Sequence, residues 1–261
     1  MHVELDGRTV NLATGGVEPD RERPLVLLIH GAGMDRTVWN LQTRYLAHHG
    51  YTPLAVDLPG HGSSDGPLIP TLAEMVEWVS ALVDLLGWSS VRLVGHSMGA
   101  LISMEVAAAR DDVDRLVLLG AAMAMPVHPE LLGAAERNEL LAPELMTAWA
   151  HGSRSHVVNN PTPGLWMVGG GQALLERAAP GVIHNDLAAC NAYEAGDVAA
   201  RVGCPVTVLV GATDRMTPPK AAAALIAGFA EVEVVHLDGV GHMMMTEAPD
   251  VVRAALVDAL A

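Results

Sequence analysis

The chain has 261 residues, 51% of them hydrophobic, enough for one large α/β domain or one domain carrying an insertion. Its formal net charge of −15 argues against nucleic acid or an anionic membrane as a partner. The amino terminus has neither a basic nor an apolar leader stretch, no apolar run reaches the ~20 residues of a membrane span, and Cys190 and Cys204 are not at metal-ligand spacing, so a soluble cytoplasmic protein with buried free thiols is expected.

Two short strands are predicted at residues 3–5 and 9–13, with Asp6-Gly7 as the hairpin turn. Residues 24–29 are apolar on both faces, as in a central parallel strand, and run into the loop His30-Gly31-Ala32-Gly33-Met34. A helix at 38–49, stopped by Gly50, leads to a strand at 52–56 and the loop Asp57-Leu58-Pro59-Gly60-His61-Gly62-Ser63-Ser64-Asp65-Gly66. Thr71 caps a helix running to about Leu86, with Gly87 as its stop. A strand at 91–94, a helix at 100–110 and a strand at 115–119 follow. This alternation implies a parallel sheet with helices on both faces.

Residues 121–198 break the rhythm. Helix formers recur at 130–141, 143–151, 172–178 and 182–193, punctuated by Pro126, Pro129, Pro161, Pro163 and the triplet Gly169-Gly170-Gly171. The stretch reads as a helical cap inserted between core segments 1–120 and 199–261, a lid that sets substrate choice and leaves the chemical step to the core. The core resumes with a strand at 205–210, a helix at 220–229, a strand at 231–237, a loop at 238–245 and a final helix at 249–260.

The chemistry-bearing stretch is Gly95-His96-Ser97-Met98-Gly99, set between the strand at 91–94 and the helix that follows. A strand turning this sharply into a helix strains its apex residue, and both flanks must be small. Such a turn lifts the Ser97 hydroxyl clear of the sheet and leaves the Met98 N–H at a helix N-terminus, where an oxyanion would form. In a parallel sheet, residues that act together come from loops at the carboxyl ends of strands. That rule collects the Ser97 turn, the loop His30-Gly31-Ala32-Gly33, the carboxylate of Asp214 and the imidazole of His242. A serine hydroxyl needs a base, and the base needs a carboxylate to fix its tautomer; Ser97, His242 and Asp214 fit those roles.

With these residues assembled, nearly the whole chain resembles the α/β-hydrolase superfamily. The carrying motifs are His30-Gly31 with Trp39 downstream, Asp57-Leu58-Pro59-Gly60-His61-Gly62-Ser63-Ser64, Gly95-His96-Ser97-Met98-Gly99, Asp214 and Gly241-His242. The resemblance implies an eight-stranded, mostly parallel sheet, a cap after the sixth strand, and an oxyanion hole from the N–H groups of Met98 and Ala32, with Gly33 as the alternate donor. It leaves the chemistry open, because the superfamily also holds carbon–carbon hydrolases, lactonases, haloperoxidase-like proteins, lyases and silent receptors.

Other polar residues have plainer readings. His30 is expected to hold its loop, His61 to order the 57–65 loop, His96 to pack beside Ser97, and Asp57 to stabilise a turn. Asp238 and Arg215 read as loop and surface residues. Met123, Met125, Met146, Trp149, Trp166 and Met167 fit an apolar pocket or cap packing equally well. Met125, Trp149, Trp166 and Met243 are carried forward as candidate substrate contacts.

The expected function is a serine hydrolase of a small, fairly apolar carboxylic ester or lactone, with no cofactor and no metal. The alternatives are a carbon–carbon bond hydrolase of the meta-cleavage type and a slow, ligand-binding receptor. A small molecule is the expected partner, without nucleic acid or membrane; a homodimer is compatible with the sequence.

Overall fold

A computed structural model describes residues 1–157 and 166–261; Pro161 and Pro163, expected as punctuation, lie outside them. The chain opens with strands β1 (His2–Leu5) and β2 (Arg8–Ala13), then β3 (Leu25–Ile29). A 3-10 turn (Arg36–Trp39) leads into α1 (Asn40–Ala47), followed by β4 (Thr52–Val56), α2 (Leu72–Leu86), β5 (Val91–His96), α3 (Met98–Ala109) and β6 (Val113–Leu119). Five helices come next: α4 (Pro129–Glu136), α5 (Leu141–Ala150), α6 (Ser153–Val157), α7 (Met167–Glu176) and α8 (Val182–Asn191). The remainder is α9 (Val198–Arg201), β7 (Val206–Gly211), α10 (Pro219–Ile226), β8 (Val232–Leu237), α11 (Met244–Glu247) and α12 (Pro249–Ala259).

All eight strands join one sheet in the order β1-β2-β4-β3-β5-β6-β7-β8. The β1–β2 and β2–β4 pairs are antiparallel and every pair from β4 to β8 is parallel. Helices cover both faces of the parallel part, so β3, β4 and β7 are buried along their whole length and carry continuous apolar runs such as Leu25–Ile29. Burying each such aliphatic side chain stabilises the fold by roughly 1.5–3 kcal/mol. The edge strand β8 is instead half-buried, with Glu233 and His236 exposed and Leu237 buried at its end. Among the described residues, no helix is long and apolar enough to cross a membrane.

The helix ends follow local chemistry. The Thr71 hydroxyl accepts the Glu74 N–H at 3.2 Å, and Gly87 stops α2 in the left-handed conformation at φ 68°. Asp35 caps the 3-10 turn by accepting the Thr37 N–H at 2.8 Å, so helical structure begins two residues before the expected start at 38.

The segment between β6 and β7 is helical, and its ends meet at its base. Ala124 and Glu194 form a short bridge, and the Ala195 N–H donates to the Met123 carbonyl at 2.8 Å. Inside it the structure differs from the sequence reading. Gly169-Gly170-Gly171 lies within α7 rather than breaking the chain. A side chain at Gly169 would overlap the Trp166 indole, and one at Gly171 would come within 2.9 Å of the His151 ring. These glycines therefore permit close packing against α7. The helix expected at 130–141 ends at Glu136, where Asn138 adopts φ 53° before α5 begins. Cys190 is buried as expected, whereas Cys204 is only partly so; both are free thiols.

Candidate active site

The turn after β5 carries the strain its glycines foretold. Ser97 sits at φ 54° and ψ −118° between β5 and α3, a conformation L-residues rarely adopt. A Cβ on Gly95 would overlap the Gly99 carbonyl, and one on Gly99 would overlap the Ile29 carbonyl of the neighbouring strand. The Ser97 N–H donates to the Leu119 carbonyl at the end of β6 (2.9 Å), which pins the turn to the sheet. His96 packs behind it, 4.6 Å ring to ring from His242 and bonded through Nε2 to the His242 carbonyl at 3.0 Å. Burial, reinforced by His242, lowers the His96 pKa to about 3, so the ring is a neutral spacer.

Asp214 follows β7 and His242 follows β8, and the two side chains meet at 2.8 Å between Asp214 Oδ2 and His242 Nδ1. Asp214 Oδ1 accepts the N–H groups of Met216 (2.8 Å) and Thr217 (2.9 Å), and the Thr217 hydroxyl donates to Oδ2 at 2.8 Å. Burial would raise this carboxyl, but the His242 partner and the Thr217 donors outweigh it and hold its pKa below the ordinary carboxylate range. A carboxylate fixed in this way keeps the proton on His242 Nδ1 and leaves Nε2 free to act as a base. Gly120, at φ 63°, leaves the space the His242 ring fills, since a Cβ there would stand 2.7 Å from its Cε1.

The loop after β3 approaches the same turn. A Cβ on Gly31 would be 2.9 Å from His96 Nδ1 and 3.2 Å from Ser97 Cβ, so only glycine permits this contact. Ala32 is buried, and its N–H has no partner among the described residues. The Met98 N–H opens α3, where no helical carbonyl faces it. The Gly33 N–H, by contrast, is already committed to Asp186 Oδ2 at 2.8 Å. Of the two loop donors weighed for an oxyanion, Ala32 remains available and Gly33 does not.

His30 and His61 hold these loops. The Leu58 N–H donates to His30 Nε2 at 3.2 Å, and His30 Nδ1 bonds the Gly31 carbonyl at 2.9 Å. Burial and the neighbouring His61 lower the His30 pKa to about 4. His61 Nδ1 bonds the Pro59 carbonyl (3.1 Å) and Nε2 bonds Asp186 (2.8 Å). Burial disfavours the His61 cation, but the Asp186 carboxylate outweighs it and raises its pKa above the usual histidine value. Asp57 does fix its turn, accepting from the Arg36 N–H at 2.7 Å, the Ser63 N–H at 2.8 Å and the Arg36 guanidinium.

A cavity of about 330 Å³ opens over Ser97 and His242. Of the candidate substrate contacts, Met125, Trp149 and Met243 line it together with Ala32, and Arg215 also reaches its wall. Trp166 does not. Its side chain is 77% exposed and its indole lies against Gly169, on the outside of α7. Three further residues escaped the sequence reading. Thr217 lies close in sequence to Asp214, and an aspartate that accepts the N–H two residues on, here that of Met216, forms a tight turn that brings the next residue's hydroxyl back to it. Asp186 had no signal, because a single acidic residue on a predicted helix reads as a solvated face, and Glu247 had none, because it falls between the predicted loop at 238–245 and the final helix at 249–260. Among the described residues no cluster of His, Cys, Asp or Glu could hold a metal ion.

A model of the alpha/beta hydrolase family matches residues 26–255. The (E)-2-((N-methylformamido)methylene)succinate hydrolase of Acinetobacter baylyi is 24% identical over 246 residues, covering 92% of this chain and 90% of its own. Among solved structures, the enol-lactonase of Burkholderia xenovorans LB400 aligns with a TM-score of 0.87 at 21% identity, covering 100% of this chain and 99% of its own. A thermophilic esterase from Thermogutta terrifontis, with malate bound, aligns with a TM-score of 0.84 at 23% identity, covering 100% of this chain and 98% of its own. At these identities the two structures show a shared fold.

Proposed function

The chain belongs to the alpha/beta hydrolase family, and from that premise we propose that it is a serine hydrolase of a small, fairly apolar carboxylic ester or lactone. The observation that carries the reading is the 2.8 Å contact between His242 Nδ1 and Asp214 Oδ2, behind a cavity that both His242 and Ser97 line. Ser97 attacks the substrate carbonyl while His242 Nε2 takes its proton. The Met98 and Ala32 N–H groups receive the oxyanion. His242 then returns the proton to the leaving oxygen, and a water it activates cleaves the acyl-enzyme. No cofactor is needed for these steps. The relatives named for an enol-lactone and for esters support a carbonyl substrate. The methionine- and tryptophan-bearing walls support an apolar one, and the helical segment between β6 and β7, which supplies Met125, Met146 and Trp149, acts as the cap.

The test is Ser97→Ala, assayed on short-chain aryl esters and by covalent labelling with a fluorophosphonate. Loss of a serine nucleophile lowers kcat on the order of 10⁶-fold in a well-studied triad. The variant should lose both turnover and labelling; one that keeps most of its activity would end this reading.

A further inference from the structure

We propose that Asp186 is a positioning residue for the oxyanion loop: through this one carboxylate the inserted helix α8 holds Gly33, and with it Ala32, against the Ser97 turn. The inference rests on the serine-hydrolase reading and extends it to a residue far from the reacting atoms in sequence.

Asp186 is fully buried, and each of its oxygens is engaged. Oδ2 accepts the Gly33 N–H at 2.8 Å and bonds His61 Nε2 at 2.8 Å, while Oδ1 accepts from Asn185 Nδ2 at 3.2 Å. A buried carboxylate is tolerated only when donors and a counter-charge surround it, so these partners are not interchangeable with solvent. His61 supplies the charge, since both its ring nitrogens face acceptors, Pro59 O and Asp186 Oδ2.

Two close approaches fix the loop from opposite sides. On one side Gly31 leaves no room for a side chain between itself and His96 and Ser97. On the other, a Cβ on Gly33 would stand 3.0 Å from Ile183 Cγ1 of α8 and 3.1 Å from Leu175 Cδ2 of α7. Ala32 lies between these contacts. The Gly33 N–H belongs to the peptide that Ala32 begins, so anchoring it sets the backbone rotation at Ala32 and hence the aim of the Ala32 N–H. Donors to a transition state must be held within roughly 0.5 Å and 10–20° to be effective. Gly33 is left-handed at φ 71° and lacks side-chain restraint, so it does not supply that precision unaided.

The experiment compares Asp186→Ala and Asp186→Asn with the wild-type protein. It reads kcat and KM on a short-chain aryl ester, plus inhibition by a trifluoromethyl ketone, whose adduct carries the oxyanion, and by the matching unreactive methyl ketone. Asp186→Ala should lower kcat about 10–100-fold, below the full loss of an oxyanion donor, with KM changed less than about threefold. Trifluoromethyl ketone affinity should fall by a similar factor while methyl ketone affinity holds. Asp186→Asn still offers an oxygen to Gly33 and should show the same selective loss at a smaller size. A folded Asp186→Ala with kcat within about twofold of wild type, or equal weakening of both ketones, overturns the proposal. If Asp186→Ala does not fold, Asp186→Asn decides by the same ratio of the two ketones. A wild-type protein that a fluorophosphonate does not label at Ser97 would instead sink the hydrolase reading, and this inference with it.

Discussion

Glu247 Oε1 accepts the N–H of Gly241, the residue before His242, at 3.1 Å. Its other oxygen accepts the Gly152 N–H at 2.9 Å and the Ser155 hydroxyl at 2.7 Å. One buried carboxylate thereby ties the loop that carries the candidate base to the turn leaving α5. The Ala150 carbonyl, at the end of α5, adds a second tie by accepting the His242 N–H at 2.6 Å.

Glu247→Ala would leave the buried Gly152 and Gly241 N–H groups without their acceptor, while the half-exposed Ser155 hydroxyl can turn to water. Stranding a buried donor costs roughly 1–3 kcal/mol, so a loss of about 2 kcal/mol or more is expected in urea unfolding. Because the freed loop carries His242, kcat should fall with it, by about tenfold or more. Glu247→Gln keeps one acceptor oxygen and should lie between. A Glu247→Ala protein with the wild-type urea midpoint would show that the carboxylate carries no such load.

Asp214→Asn should lower kcat by about 10⁴-fold while the protein stays folded, as in the best-known serine triad, because the amide no longer selects the His242 tautomer. Asp214 has its pKa held below the ordinary carboxylate range, so it stays ionised through an assay range of pH 5–9, taken as roughly the useful window. Near-normal kcat in Asp214→Asn would remove it from the mechanism.

The His61–Asp186 pair gives stability a pH window. Asp186 has its pKa held below the ordinary value, against burial, by His61, the Gly33 N–H and Asn185, so its contribution is present above its unfolded value and lost as pH falls through the folded one. His61, burial notwithstanding, has its pKa raised by Asp186, so its contribution is complete below its unfolded value and lost as pH rises through the folded one. Both are intact from about pH 5 to 6. The nearby ionisable groups include His30, with its ring 4.9 Å away and its pKa lowered to about 4, Asp57, and Cys190, whose thiol pKa burial and the Asp186 charge push up so that it stays protonated across the window. The urea stability difference between wild type and Asp186→Asn should peak in that window and shrink on either side. Breaking such a buried pair costs about 3–5 kcal/mol, so the peak is measurable, and a pH-independent difference would refute the charged pair.

Much of this was legible in the sequence for local reasons. Ser97 announces itself because two glycines two residues either side of a serine, between an apolar run and a helical pattern, mark a tight strand-to-helix turn, and β3 because five consecutive apolar residues suit a strand buried on both faces. Asp214 and His242 were found by asking which loops share one end of a parallel sheet. What stayed hidden depends on partners distant in sequence. Asp186 meets Gly33 across 153 positions, and Glu247 meets Gly152 across 95. The Gly169–Gly171 triplet looked like a break because glycine disfavours helix, yet the indole of Trp166 and the ring of His151 need its missing side chains. Distance in sequence also hides the contacts between insertion and core, where Ala150 and Asp186 accept from the backbones of His242 and Gly33.

Substrate choice should still be set from that insertion, at Met125 and Trp149. Both line the cavity over Ser97, and neither position is among the residues that tie the catalytic loops in place. A well-filled or vacated apolar group is worth ~1–3 kcal/mol of discrimination, so alanine at either position should shift relative kcat/KM across an ester series of graded acyl length by about tenfold or more. Fluorophosphonate labelling of Ser97 should persist in both variants, because the nucleophile, base and oxyanion donors are unchanged. Trp166→Ala makes the contrast: its indole is exposed and outside the cavity wall, so the rank order of esters should match wild type within about twofold. A uniform loss over all esters in Met125→Ala or Trp149→Ala, accompanied by lost labelling, would mean these side chains support the reacting groups instead of selecting the substrate.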